Sequence, residues 1–159
     1  MHVRRTRIVP QRIEREILID APVDVVWAVV TEPEHISGWF SDSAELDSRP
    51  GGAAVLHWNN HGTVNARVER VEPPHFFSFR WMMEPGVELA EDNSTLVEFT
   101  LTADGESTRL TVVESGFSDL AGPEDEKQRH YDSHSRGWEL ELGDLDEYVA
   151  RTGAARAER

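Results

Sequence analysis

Residues 131–149 read YDSHSRGWELELGDLDEYV and predict one long helix with a single apolar face. The apolar residues follow one another at intervals of seven, four, three and four positions: Tyr131, Trp138, Leu142, Leu145 and Val149. The face is dense in its second half, whereas His134 in the first half stands where a core helix would carry leucine. Gly122-Pro123-Glu124 predicts the start of this helix, and Gly153 predicts its end.

Much of the remaining chain alternates apolar and polar residues with a period of two, which predicts β-strands. The first strand is expected over 13–19, and two short helices separate it from the others. The later alternating segments cover 54–59, 64–69, 77–81, 97–101 and 110–112. The two helices are expected after Pro22 and after Thr31-Glu32-Pro33-Glu34, a sequence that resembles a capping box.

An antiparallel sheet with one apolar face requires a cover, and the last helix is the only segment long enough to lie along it. The C-terminal half of this helix can pack directly on the sheet. Its N-terminal half presents Tyr131 and His134 instead of aliphatic side chains, so we expect a cavity beneath that half. The sequence therefore predicts an α+β fold in which a curved sheet holds one long helix.

The composition indicates one acidic globular domain. The chain has 159 residues and a formal net charge of −14 at pH 7, from 16 basic and 30 acidic residues. We expect a domain over 13–151, a flexible N-terminal arm over 1–12 and a C-terminal tail over 152–159. The acidic balance disfavours nucleic acid, and no apolar run is long enough for membrane insertion. The absence of cysteine suits a reducing compartment, so we expect a cytoplasmic protein.

The order of several short motifs resembles one known superfamily. The motifs are Ile17-x-Ile19-x-Ala21-Pro22-x-x-x-Val26-Trp27, Thr31-x-Pro33-Glu34, Trp39-Phe40, Pro50-Gly51-Gly52, Val71-Glu72-Pro73-Pro74, Phe77-x-Phe79-x-Trp81, Ser115-Gly116-Phe117 and Gly137-Trp138. Together they resemble the SRPBCC (START-like, helix-grip) superfamily and, more narrowly, the bacterial homologues of the activator of heat-shock-protein-90 ATPase. The resemblance extends over residues 13–151.

This resemblance implies a helix-grip fold: a strand, two short helices, a six-stranded curved antiparallel sheet and a long C-terminal helix packed across the sheet. In the superfamily, a deep cavity between sheet and helix binds lipids, sterols, polyketides or other apolar small molecules. Because the members include cyclases, lipid carriers and co-chaperone domains, the fold alone leaves the function open.

Large aromatic side chains on separate elements are the candidates for the wall of such a cavity. The tryptophans at 39, 58, 81 and 138 can all point inward, although the same positions also suit a closed core. The candidate ligand-binding residues are Trp39, Leu56, Trp58, Phe77, Phe79, Trp81, Phe99, Tyr131, His134 and Trp138.

Glu114 and His134 are the two candidates for a catalytic role, which the sequence leaves unassigned. Glu114 is in phase with Leu110 and Val112, so the alternation places it on the inner face of the sheet. A buried carboxylate there could act as a general base beside His134 or Tyr131. The sequence favours a different interpretation, in which Glu114 lies at an open end of the sheet and is in contact with water.

Two pairs of histidines, His57 with His61 and His130 with His134, recur at a spacing of four but have no identifiable third ligand. We therefore expect neither a metal nor a cofactor. The favoured hypothesis is a protein that binds an apolar or aromatic small molecule, lipid-like or polyketide-like. The alternatives are a cyclase or hydratase that uses the same cavity, and a chaperone-associated interaction module. The sequence is also compatible with a homodimer and with a chaperone partner.

Overall fold

The computed structural model describes residues 10–83 and 88–157. The helices are α1 (Val23–Thr31), α2 (Pro33–Trp39) and α3 (Glu124–Ala157). The strands are β1 (Arg12–Ile19), β2 (Ser43–Leu46), β3 (Ala53–Trp58), β4 (Gly62–Glu72), β5 (Phe76–Met82), β6 (Ser94–Asp104) and β7 (Ser107–Ser115). Within these residues, 3-10 turns at Glu91–Asn93 and Phe117–Asp119 precede β6 and α3.

The seven strands of the described residues form one antiparallel sheet in the order β1-β7-β6-β5-β4-β3-β2. Strand β7 shows how the sheet contributes to the core, because every second residue from Thr108 to Glu114 is buried. The residues of α3 buried against the sheet are Trp138, Leu142, Leu145 and Val149. The predicted α+β helix-grip architecture is therefore confirmed.

Strand β2 is the one strand that the alternation did not predict. It pairs with β3 at the edge of the sheet, from Ser43 opposite His57 to Leu46 opposite Ala54. Its four residues are too few for an alternating pattern to stand out from the background. The described sheet accordingly has one strand more than the pattern identified.

The ends of two helices differ from the predictions. The Thr31 hydroxyl donates to the Trp27 carbonyl oxygen (2.7 Å), so α2 begins after Glu32 without a side-chain cap. Helix α3 continues through Gly153 to Ala157, so the predicted stop is wrong. A glycine inside a helix costs only about 1 kcal/mol relative to alanine, which the rest of the helix can absorb. Among the described helices, none combines the length and the apolar character needed to span a bilayer.

The predicted N-terminal arm is structured at its inner end. Arg12 already belongs to β1, and the Gln11 side chain accepts a hydrogen bond from the Ser118 hydroxyl (2.7 Å). Residues 1–9 of the predicted arm lie outside the described residues. The limits of the domain stay a prediction.

Close packing between α2 and α3 provides a test of the helix arrangement. A β-carbon on Gly38 would lie 2.4 Å from Cε1 of Tyr148, whose hydroxyl is 2.7 Å from Nδ1 of His35. We expect Gly38→Ala to lower the free energy of unfolding by about 1–3 kcal/mol, the usual cost of overpacking. Gly143→Ala is the control, because a β-carbon there meets nothing within 4 Å and alanine favours the helix. Equal stabilities of the two variants in chemical denaturation would contradict this packing.

Candidate functional site

Glu114 lies at the centre of the candidate site, and its side chain is 0% exposed. It pairs with Ile13 of β1 on one side and with Val97 of β6 on the other, so it belongs to the interior of the sheet. Beyond β7 the chain turns at Gly116, with a φ of 105° that favours glycine, and continues into the buried Phe117. The favoured prediction of a water-exposed Glu114 is therefore wrong, because flanking strands and α3 cover the end of β7.

Four described side chains donate hydrogen bonds to the Glu114 carboxylate. Trp81 Nε1 of β5 (2.9 Å) and Thr95 Oγ1 of β6 (2.5 Å) donate to Oε2, and Trp138 Nε1 of α3 donates to Oε1 (2.8 Å). His134 Nδ1 of α3 lies 2.8 Å from Oε2 and 3.0 Å from Oε1. Because a carboxylate offers about four accepting sites, this one has no site left for a substrate proton.

The protonation state of Glu114 follows from these contacts. Burial by itself would raise its pKa, but the charge of His134 and hydrogen bonds from His134, Thr95 and Trp81 outweigh burial. The pKa of Glu114 consequently lies below its ordinary value, and the group is ionised at neutral pH. A weakly basic, fully hydrogen-bonded carboxylate does not favour the predicted role of Glu114 as a general base.

His134 connects this cluster to the surface of the domain. Its partner is an ionised carboxylate, which can only accept, so Nδ1 carries the proton. The imidazole lies edge-on to Trp81 and to Phe117, with ring centres 5.6 Å apart in both cases. Among the residues that the structure describes, none forms a hydrogen bond with Nε2 on the opposite side of the ring.

A cleft of about 210 Å³ adjoins the cluster, beneath the half of α3 where the sequence predicts a cavity. Phe40 stacks on Trp81 and on Trp138, with ring centres 5.6 Å and 5.7 Å apart. The lining residues are Phe40, Trp58, His61, Val64, Trp81, Met82, Met83, Ser133, His134, Gly137, Trp138 and Glu141. The cleft is thus mainly apolar and aromatic, with few polar side chains.

The predicted ligand-binding residues fall into three groups. Those that line the cleft are Trp58, Trp81, His134 and Trp138. A separate apolar cavity of about 30 Å³ is lined by Trp39, Leu56, Phe77, Phe79 and Phe99, and has room for about one water molecule. Tyr131 lines neither space and packs edge-on against Phe117 at 5.4 Å. A ligand in the cleft would therefore contact the first group.

Sequence reasoning missed several residues of the cleft. Gly137 and Glu141 follow His134 by three and seven positions, so they share its helical face and could have been found from the helix geometry. Phe40 follows the end of α2 and reaches the cleft through tertiary packing. No local pattern in the sequence identifies such a position.

Glu141 adds a second unusual carboxyl group at the cleft. Burial raises its pKa to about 8, and the neighbouring Asp144 contributes through its charge and a hydrogen bond. The carboxyl group of Glu141 is therefore mostly protonated at neutral pH. In that form it can donate a hydrogen bond, which an ionised carboxylate cannot do.

The predicted histidine pairs are not arranged around a common point. His57 Nδ1 lies 2.9 Å from the Thr63 hydroxyl, whereas His61 lines the cleft. His130 and His134 line different pockets. In the described ranges, no group of three His, Asp or Glu side chains is placed to hold a metal ion.

The sequence matches the family model described as Activator of Hsp90 ATPase homolog 1-like protein over residues 20–150. The chain belongs to this family. The match extends from the end of β1 into the last turns of α3, so the cleft lies within the part that defines the Activator of Hsp90 ATPase homolog 1-like family. No curated protein matches the sequence.

Solved structures share the helix-grip fold. A Mesorhizobium loti protein has a TM-score of 0.74 at 24% identity, over 89% of this chain and 98% of that chain. DynU16, a protein of the dynemicin biosynthetic locus, has a TM-score of 0.71 at 27% identity, over 89% of this chain and 48% of its own. The Aha1 dimer from Colwellia psychrerythraea has a TM-score of 0.68 at 16% identity, over 86% of this chain and 93% of that chain. This chain thus spans about half of DynU16.

Proposed function

We propose that the protein binds a small aromatic molecule in the cleft between the sheet and the N-terminal half of α3. The observation that carries this proposal is the space of about 210 Å³ walled by Phe40, Trp58, Trp81 and Trp138. Ligand sites are typically concave and mostly apolar, with a few polar groups that fix the orientation of the ligand. His134 is such a group here.

The volume of the cleft limits the size of the ligand. A dry cavity of about 150 Å³ accommodates benzene, so a cleft of about 210 Å³ suits one or two fused rings better than a sterol or a long lipid chain. Burial of apolar surface supplies about 25 cal/mol per Å², before the costs of association. The place of DynU16 in a biosynthetic locus supports a small-molecule ligand.

Hydrogen bonds within the protein support the aromatic wall. Glu114 accepts from the indoles of Trp81 and Trp138, and the carbonyl oxygen of Phe40 accepts from Trp58 Nε1 at 2.9 Å. A wall fixed in this way loses little conformational freedom when a ligand binds. Such preorganisation favours affinity.

Gly137 offers a way to fill the cleft from α3. It lines the cleft, and a β-carbon there meets no atom within 4 Å. We expect Gly137→Leu to weaken the binding of 2-methoxynaphthalene about tenfold or more in isothermal titration calorimetry, because the new side chain occupies the space of the ligand. The dissociation constant of the wild-type protein is the reference.

Gly143→Leu is the matched control, because it places the same side chain on the exposed side of the same helix. It should bind the ligand as the wild type does. Both variants should fold, since leucine favours a helix over glycine. Unchanged affinity in a folded Gly137→Leu protein would overturn the proposal, as would the absence of binding across a panel of one-ring and two-ring aromatic compounds.

The protein partners stay predictions. The relative from Colwellia psychrerythraea is a dimer, which supports a homodimer for this chain. Membership of the Activator of Hsp90 ATPase homolog 1-like family supports a chaperone partner.

A further inference from the structure

The cleft is poor in positive charge. Among the described residues that line it, there is no lysine and no arginine. The histidines of the lining are His61, which is exposed to solvent, and His134. A protonated His134 is offset by the ionised carboxylate of Glu114, which lies 2.8 Å from its Nδ1. The pair therefore adds no net positive charge to the inner cleft, whichever form the imidazole takes.

Glu141 is the acidic side chain of the cleft lining. It is half-buried on α3, and its neighbour Asp144, about one turn further along the helix, is acidic as well. Among the described residues, no ion pair includes Glu141. Both burial and the charge of Asp144 disfavour the ionised form of Glu141. A cation in the cleft would have the opposite effect, because an opposite charge close by favours the carboxylate.

The tryptophans of the cleft offer a ligand their rings and no hydrogen bond. Trp81 and Trp138 donate their indole N–H groups to Glu114, and Trp58 donates its own to the carbonyl oxygen of Phe40. An indole has one donor and no acceptor, so only the ring surface is left for a ligand. Among aromatic side chains, tryptophan attracts cations most strongly, and groups of aromatic rings recognise ammonium ligands in this way.

We propose that the cleft selects aromatic ligands that carry a protonated amine, with the ammonium group beside the carboxylate of Glu141 and the aromatic ring against Trp81 and Trp138. This inference rests on the proposed function of the same cleft. The net charge of −14 acts in the same direction, because the field of an acidic protein attracts cations and repels anions. An aromatic carboxylate would instead approach Glu141 and Asp144 as a like charge.

Three naphthalenes of similar size test the inference on the wild-type protein. 2-(Aminomethyl)naphthalene is cationic, 2-naphthalenemethanol is neutral and 2-naphthoate is anionic. At about pH 8, we expect the amine to bind about tenfold more tightly than the alcohol in isothermal titration calorimetry, and the carboxylate to bind most weakly. An amine that binds no more tightly than the alcohol would overturn the inference but leave the proposed function standing. Binding by none of the three would remove both.

The preference for the amine should depend on pH. Burial and Asp144 raise the pKa of Glu141 to about 8, so at lower pH a proton occupies the carboxyl group and competes with the ammonium ion. From about pH 6.5 to about pH 8, the affinity for the amine should rise about tenfold, whereas that for the alcohol should stay within about twofold. An affinity for the amine that stays constant or falls over this range would overturn the inference.

The other titratable side chains beside the cleft are Asp144, His61 and His134. A histidine can also change its charge in this pH range, and a protonated His61 would repel the amine. His61→Gln separates the two contributions, since the exposed side chain can be replaced without loss of a core contact. This variant should keep the rise in affinity between about pH 6.5 and about pH 8. Loss of the rise in His61→Gln would overturn the assignment to Glu141.

Glu141→Gln removes the charge and keeps the size of the side chain. The variant should fold, because the amide resembles the protonated carboxyl group in shape. We expect its preference for the amine over the alcohol to fall from about tenfold to within about twofold and to lose its pH dependence, with little change in the affinity for the alcohol. Glu139→Gln removes the same charge from the exposed side of α3, so it is the control and should keep both properties. A folded Glu141→Gln protein that keeps the preference, or an equal loss in Glu139→Gln, would overturn the inference.

Discussion

Glu114→Gln should lower the free energy of unfolding by about 3–5 kcal/mol, the range for removing one partner of a buried ion pair. The amide keeps the volume of the side chain but replaces one accepting oxygen by an NH₂ group. Oε1 accepts from Trp138 and His134, and Oε2 accepts from Trp81, Thr95 and His134, so either orientation brings donors face to face. Chemical denaturation followed by near-ultraviolet circular dichroism measures the loss.

Glu106→Gln is the control for this substitution, because Glu106 lies in the exposed turn between β6 and β7. Its stability should stay within about 0.5 kcal/mol of the wild type. A Glu114→Gln protein as stable as Glu106→Gln at pH 7 would contradict the buried, four-donor environment of the carboxylate.

The effect of Glu114→Gln should also depend on pH. The folded-state pKa of Glu114 lies below its ordinary value of 4.5, so the carboxylate stabilises the native state above that pH. This contribution is lost as the pH falls from 4.5 through the folded-state pKa. The difference in stability between the wild type and Glu114→Gln should therefore be greatest near neutral pH and decrease below 4.5. A difference that grows on acidification would contradict the lowered pKa.

Trp138→Ala should lower the free energy of unfolding by about 3–5 kcal/mol, as expected for truncating a buried aromatic side chain. Trp138 is 2% exposed, stacks on Phe40 and donates a hydrogen bond to Glu114. Leu140→Ala, two positions further along α3, is the matched control because Leu140 is 71% exposed. Its stability should change by less than about 0.5 kcal/mol in the same denaturation experiment. Equal losses in the two variants would contradict the position of α3 on the sheet.

The sequence predicts the architecture well because periodicity is a local property. The alternating segments correspond to strands of the sheet, and the apolar face of 131–149 corresponds to the buried face of α3. The interruption of that face at His134 also indicates where the cleft lies. Strand β2 and the end of α3 were not predicted, because a four-residue strand and a glycine inside a helix leave little local signal.

The candidate site could be predicted only in part, because its main contacts are not local in sequence. The burial of Glu114 depends on the pairing of β7 with β1 and on the helix that covers both. Alternation places Glu114 on the inner face, but it does not show whether the end of the sheet is open. For the same reason, the alternation does not show that Phe79 lines the small inner cavity whereas Trp81 lines the cleft.

The cluster around Glu114 also explains why a polar group occupies the core beside the cleft. Its hydrogen bonds join α3 to β5 and β6, and they fix the indoles of Trp81 and Trp138 in the wall of the cleft. A buried network in which every polar group has a hydrogen-bond partner makes one arrangement of side chains more stable than the alternatives. Glu114 thus acts in this account as a positioning residue for the aromatic wall and for His134.

The indole N–H signals in a ¹H–¹⁵N correlation spectrum provide a direct test of ligand binding beside Glu114. The chain has five tryptophans, so each indole can be followed separately. Trp58, Trp81 and Trp138 line the cleft, whereas Trp27 packs edge-on against Phe77, and neither of these two residues lines the cleft. Titration with 2-naphthol should shift the three cleft indoles at one common dissociation constant and leave the signal of Trp27 in place. Unshifted signals for all three, or a shift of Trp27 alone, would contradict a binding site in the cleft.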